Sequence, residues 1–154
     1  MKKYYLAYGS NLNILEMQKR CPKAKVLGST KLIDYRLIFK GVVDNNAYLT
    51  IEKCLGSSIP VGIFLIDESD EVALDIYEGY PYLYQKENVL INLNGEIITA
   101  LVYVMLDKYE VHLPSKSYLE RCFKGYRDFN FNVKYLSIAY KTTVEELEVL
   151  RKKR

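Results

Sequence analysis

Apolar residues along the chain fall into short blocks separated by polar turns, and the spacing inside each block predicts its element. Residues 3–8 are nearly all apolar, with Tyr4-Tyr5-Leu6-Ala7-Tyr8 stopping at Gly9-Ser10-Asn11, which predicts a buried strand that ends at its apolar limit. Over 12–20 the spacing becomes helical, with Leu12, Leu15 and Met17 as its apolar positions and Asn11 as the expected N-cap. Strands are expected over 24–32, 35–41 and 47–53. Residues 61–66 are continuously apolar, the pattern of a strand covered on both faces.

A short helix is expected next, capped by Asp67 or Ser69, with Val72, Leu74 and Ile76 as its contacts and Gly79 and Pro81 as its stop. Asn94-Gly95 is a hairpin signal between strands over 84–93 and 96–105. The last third reads as helices over 115–126, 132–141 and 143–153, with Ser117-x-x-Glu120 and Thr143-x-x-Glu146 in capping-box form. About seven strands, with helices after the first, inside and at the end, predict one α+β domain over residues 1–154. Its sheet is expected to be mostly antiparallel and closed.

Composition narrows the chemistry. The 154 residues are 49% apolar and 27% charged, the globular range. No stretch approaches the ~20 apolar residues of a membrane span, and the N-terminal apolar run is too short for a signal peptide. A cytoplasmic location is expected. Cys21, Cys54 and Cys122 are an odd, widely spaced set that suits a reducing compartment. A single histidine, His112, excludes most zinc sites and most Ser-His or Cys-His triads by counting. The net charge of +3 is interspersed, and Arg151-Lys152-Lys153-Arg154 closes a helical stretch whose dipole it complements. Fifteen tyrosines and no tryptophan allow an apolar pocket with a polar lip.

Most of the nineteen acidic residues must be solvated surface charge. Glu78 stands apart, at the end of a short helix among Tyr77, Tyr80 and apolar neighbours. A carboxyl in such surroundings is desolvated, and its pKa rises toward neutrality. That suits a general base, whereas a helix-end Glu facing water is the plainer reading of the same residue.

Several segments together resemble the gamma-glutamylcyclotransferase family. Tyr5-Leu6-Ala7-Tyr8-Gly9-Ser10-Asn11-Leu12 is similar to its N-terminal signature. Arg20-Cys21-Pro22 and the run from Leu32 to Phe39 are similar to its next landmarks. Val61-Gly62-Ile63-Phe64 resembles the strand before its catalytic segment, and Leu74-Asp75-Ile76-Tyr77-Glu78-Gly79-Tyr80-Pro81, followed by Tyr84, resembles that segment. The runs from Ala100 to Met105 and from Pro114 to Tyr118 resemble the last strand and the following helix, so the likeness spans about residues 4–140.

By this resemblance Glu78 is the catalytic acid/base. Tyr5, Leu6, Ala7, Tyr8, Gly9 and Ser10 form a substrate-holding loop with Asn11 beside it, and Tyr84, Tyr103 and Tyr118 are pocket tyrosines. The implied reaction is cyclisation of a γ-glutamyl amide to 5-oxoproline with release of the amine or amino acid, as in glutathione metabolism. The implied fold is α+β, a small mixed, mostly antiparallel, barrel-like sheet with flanking helices, and no metal or other cofactor is implied. The expected partner is the small γ-glutamyl substrate, not nucleic acid or a membrane, and a homodimer is left open. The stretch Tyr80-Pro81-Tyr82-Leu83 is one residue longer in some branches of the family, which leaves the departing group unspecified.

The resemblance also answers what Gly9-Ser10-Asn11 is for. It implies backbone N–H groups aimed at a carboxylate or a developing oxyanion, with Gly9 allowing close approach. Other readings are weaker. His112 with a cysteine would need a thiol in a turn or glycine-rich context, and none of the three has one. Ser10 lacks a GxSxG elbow and an evident base. Arg36, mid-strand, is expected to be an ion-pair partner rather than a ligand clamp. The alternatives from other classes are a non-catalytic binding module of the same fold and an RNA binder using tyrosine stacking.

Overall fold

Four of the expected strands turn out to be the halves of two long ones. In the computed structural model, which describes residues 2–154, β1 (Lys3–Ala7), β2 (Lys25–Gly41) and β3 (Tyr48–Ile66) come first in the sheet. β2 and β3 pair antiparallel from Lys40↔Tyr48 to Lys25↔Leu65. The breaks that suggested separate strands, at 33–34 and 54–60, meet at one irregularity, where Asp34, with φ 65°, faces the excursion 54–57; a second irregularity, at Gly28, lies inside one of the expected strands. A bulge reverses which residues face inward, so a period-two pattern fails across it while the strand continues.

After β3 come α2 (Glu68–Glu78), β4 (Tyr84–Leu93), β5 (Glu96–Met105) and the two-residue β6 (Glu110–Val111). Among the described residues the sheet has six strands in the order β4-β5-β1-β3-β2-β6. All neighbours are antiparallel except β1 and β5. The sheet curls into a half-barrel. Asn94 (φ 51°) and Gly95 (φ 91°) occupy the two left-handed positions of the β4–β5 turn, as their identities predict.

The helices depart from expectation in their caps. α1 (Ile14–Arg20) is capped by Asn13, whose side chain accepts from the Glu16 N–H, not by Asn11. Leu12 and Met17 are buried, whereas Leu15 faces out. In α2 the Asp67–Asp70 capping box forms and Gly79 closes the helix in the left-handed conformation. Leu74 is buried, but Val72 and Ile76 are 58% and 77% exposed. α3 (Lys116–Asp128) is capped by Ser115 rather than Ser117. The two expected C-terminal helices are one, α4 (Lys134–Lys152), with Thr143 buried inside it. The Thr143 hydroxyl donates to the Ala139 carbonyl at 2.8 Å and accepts from the Phe39 N–H at 3.1 Å. A hydroxyl that docks a helix on a strand thus had the sequence appearance of a cap. Among the described residues no helix is long and apolar enough to cross a membrane.

Candidate active site

β1 stops at Ala7 because Gly9 turns the chain. The Leu12 N–H bonds the Gly9 carbonyl at 3.0 Å and the Asn13 N–H bonds that of Ser10 at 3.0 Å, which makes one 3-10 turn over Ser10–Leu12. Among the described residues no protein acceptor engages the N–H groups of Gly9, Ser10 or Asn11. Space is tight at Gly9: a Cβ would lie 3.3 Å from the Leu49 side chain and 3.5 Å from the Tyr118 hydroxyl.

Where β1 ends, side chains bridge the elements around it. The Thr50 hydroxyl accepts from the Met105 N–H at 2.9 Å, and the Tyr84 hydroxyl donates to the Leu49 carbonyl at 2.6 Å. From α3, the Tyr118 hydroxyl accepts from the Leu49 N–H at 3.0 Å. These bridges surround a cavity of about 210 Å³. Gly9, Ser10 and Asn11 form one side of it, and Tyr5, Leu6, Tyr8, Leu49, Tyr84, Tyr103 and Tyr118 form the wall. Tyr48, Tyr77, Leu83 and Arg121 complete the lining and are partly exposed. Of the expected substrate-holding residues, Ala7 is buried outside the cavity surface.

Glu78, the last residue of α2, reaches into this cavity. The residue as a whole is partly exposed, but its carboxyl group is enclosed, and burial pushes its pKa up to about 8 against a smaller opposing pull from Arg20. Asn11 holds it in place. The Asn11 amide nitrogen donates to Glu78 Oε1 at 3.3 Å and to the Tyr5 hydroxyl at 2.8 Å, while its oxygen accepts from Arg20. A guanidinium on the oxygen side leaves only the NH₂ to face the carboxyl, so the amide orientation is fixed.

Behind the wall, the Tyr103 hydroxyl donates to Asp75 at 2.6 Å, and Lys86 bonds both Asp75 (2.9 Å) and Glu71 (2.7 Å). This clamp ties the last turns of α2 to β4 and β5, and so sets the depth at which Glu78 enters. At the lip, Arg20 stacks 3.5 Å from the Tyr77 ring centroid, and the Tyr77 hydroxyl meets Ser10 Oγ at 2.8 Å.

The other candidates are engaged elsewhere. Burial raises the thiols of Cys21 to about 11 and Cys122 to about 12, which makes both poor nucleophiles. His112 pairs with Asp44 at 3.1 Å. Arg36 bridges Glu52 (2.9 Å) and Glu146 (2.7 Å), the expected structural ion pair. Tyr77, Arg121, Leu49, Tyr48 and Leu83 lay outside the expected site. Tyr77, next to Glu78 in sequence, had an available signal in its position; Leu49 had none, because long-range hydroxyl bonds bring it in.

A model of the family described as gamma-glutamyl cyclotransferase, AIG2-like, matches residues 5–120. The chain belongs to this family. Solved structures agree on the gamma-glutamyl cyclotransferase fold. One, itself a gamma-glutamyl cyclotransferase, is 24% identical and aligns at a TM-score of 0.79 over 90% of this chain and 86% of its own. An uncharacterized protein of Homo sapiens is 25% identical with a TM-score of 0.78, over 90% of this chain and 86% of its own. The Bacillus subtilis protein YkqA is 18% identical with a TM-score of 0.75, over 92% of this chain and 54% of its own. No curated protein matches at a significant level.

Proposed function

We propose that this family member cyclises γ-glutamyl amides to 5-oxoproline and releases the amine partner. The observation that carries the reading is that one cavity is lined both by Glu78, whose carboxyl is enclosed, and by Gly9, Ser10 and Asn11, whose N–H groups no protein acceptor engages among the described residues. The free N–H groups suit a carboxylate or the oxyanion of a tetrahedral intermediate. A carboxyl alone would repel an anionic ligand; beside an amine that must lose protons it has a task.

The α-amine of the glutamyl group is tethered to the carbonyl it attacks, so the protein's part is to hold the curled conformer. The new bond joins that nitrogen to the γ-carbonyl carbon, and the bond that breaks is from the same carbon to the departing nitrogen. The attacking nitrogen enters as an ammonium and ends as a lactam N–H, so it gives up two protons. The departing nitrogen gains two and leaves as an ammonium. Glu78 accepts protons from the first and delivers them to the second, ending as it began, and neither water nor a cofactor is consumed. The three cysteines are free, which suits a reducing setting such as the cytoplasm.

A panel of γ-glutamyl amides assayed for 5-oxoproline by mass spectrometry tests the reading. Acetylating the α-amine should abolish turnover, because the attacking lone pair is lost. An amidase would instead tolerate the block and release glutamate carrying oxygen from labelled water. Glutamate as the product, or labelled oxygen in it, would replace cyclisation by hydrolysis.

The pH dependence follows from the Glu78 environment. Glu78 must be ionised to accept a proton, so kcat/KM should rise with pH through an acid limb near 8. A limb near pH 4 would mean a solvated carboxylate and a different base.

A further inference from the structure

The Tyr77 hydroxyl has two partners, and they come from different parts of the fold. Arg121 Nη2, on α3, donates to it at 2.7 Å, and Ser10 Oγ, on the turn after β1, lies 2.8 Å away. Arg121 is fixed in turn by Glu16 of α1, whose carboxylate takes its Nε and Nη2 at 2.6–3.0 Å. The Tyr77 ring is held as well, with the Arg20 guanidinium 3.5 Å from its centroid. Three helices thus hold one phenol against a serine that lines the cavity.

The order of donors along this line is set from its far end. A guanidinium donates and never accepts, so the Tyr77 oxygen is an acceptor toward Arg121. Its own hydrogen then has one acceptor in reach among the described residues, Ser10 Oγ. A phenol is a stronger acid than an aliphatic alcohol, and accepting from a cation strengthens it further as a donor. Both effects run the bond from Tyr77 to Ser10. The Ser10 hydroxyl hydrogen is left over, because Ser10 Oγ has no partner besides Tyr77 among the described residues. Ser10 is 6% exposed, and the space beside it is the cavity.

We infer that Arg121 and Tyr77 are positioning residues: they turn the Ser10 hydroxyl so that it donates to an anionic oxygen of the bound glutamyl group, either its carboxylate or the oxyanion formed at the γ-carbonyl. With the opposite polarity Ser10 would spend its hydrogen on Tyr77 and present lone pairs to that oxygen. This rests on the cyclotransferase reading above.

The test follows 5-oxoproline formation from γ-glutamyl-alanine. Ser10→Ala should lower kcat/KM by roughly 10- to 100-fold, the loss of one hydrogen bond to a charged group. Tyr77→Phe and Arg121→Met leave the hydroxyl in place but unoriented, and each should cost roughly 3- to 10-fold. In the Ser10→Ala background the same two changes should cost less than about 2-fold each, because the group they orient is gone. Arg121→Lys still only donates, and it should recover part of what Arg121→Met loses. Neither Ser10→Ala nor Tyr77→Phe should move the acid limb of the pH profile, which belongs to Glu78. A loss confined to kcat puts the donor on the oxyanion. A matching loss of affinity for 5-oxoproline puts it on the carboxylate.

Full activity in Ser10→Ala would overturn the inference. So would undiminished effects of Tyr77→Phe or Arg121→Met in the Ser10→Ala background, since those residues would then act on the substrate or the fold directly. A displaced acid limb in Tyr77→Phe would also overturn it, by showing that Tyr77 acts through the neighbouring Glu78. Ser10→Ala, Tyr77→Phe and their double variant decide the matter even if Arg121→Met does not fold. Absence of 5-oxoproline with the wild type would instead overturn the cyclotransferase reading beneath it.

Discussion

Glu78→Gln is expected to lower turnover of γ-glutamyl amides by roughly 10²–10⁴-fold, the contribution of a positioned acid/base, with no loss of folded stability. Glutamine fills the same space and can still accept from the Asn11 amide, which bonds Glu78 Oε1 at 3.3 Å, but it cannot take up a proton near neutral pH. The stability side has a definite sign. Burial raises the Glu78 pKa in the folded chain to about 8, so the folded state holds this proton more tightly than the unfolded state does. Stability from this group is full below the ordinary carboxyl pKa. It falls as pH rises through the window up to about 8, where the unfolded chain ionises first. The glutamine variant has no such loss. Its melting temperature relative to wild type should therefore climb between pH 5 and pH 8. Normal turnover of 5-oxoproline by the variant would remove Glu78 from the mechanism, and a flat stability difference across that range would mean a solvated carboxyl.

Gly125→Ala should be the most damaging small substitution in the chain. Elsewhere in a helix interior this change is worth about 1 kcal/mol of stabilisation from helix propensity. Here the added Cβ would lie 2.6 Å from the Asn13 nitrogen and 2.7 Å from the Leu12 carbonyl carbon. Both are backbone atoms, which cannot swing aside as a side chain can. Overpacking costs roughly 1–3 kcal/mol in ordinary cores, and contact with rigid backbone puts this case at the top of that range, above the propensity gain. α3 must then lift from the turn at Ser10–Leu12, so activity should fall together with stability. Urea denaturation settles the sign: a variant as stable as wild type would show that α3 does not rest on the turn as described.

What could be read from the sequence followed how local the cause was. The end of β1 at Gly9, the Asp67 cap and the Asn94-Gly95 turn depend on residues close in the chain, and each was legible; Glu78 stood out from a surface carboxylate only through the family resemblance, because the cavity that encloses it is walled by distant residues such as Tyr5, Leu49 and Tyr118. Errors came where distant contacts decided the outcome. Asn11 looked like a cap, but its amide is taken by Tyr5, Glu78 and Arg20, and Asn13 caps instead. Thr143 looked like a helix start because nothing nearby reveals that Phe39 needs its hydroxyl. Val72 and Ile76 carry an apolar pattern that no neighbour covers. Arg121 is one arginine among many charged helix residues until the fold brings Glu16 and Tyr77 beside it.

Leu49 has its N–H bonded by Tyr118 of α3 and its carbonyl by Tyr84 of β4. One peptide segment of β3 is thus gripped from two other elements, and the two gripping rings are themselves cavity wall. Undocking α3 would therefore take a ring out of the cavity wall and free the Leu49 N–H together. Deuterium should enter at the Leu49 amide only when that contact comes apart, on the timescale of a subglobal unfolding instead of a loop fluctuation.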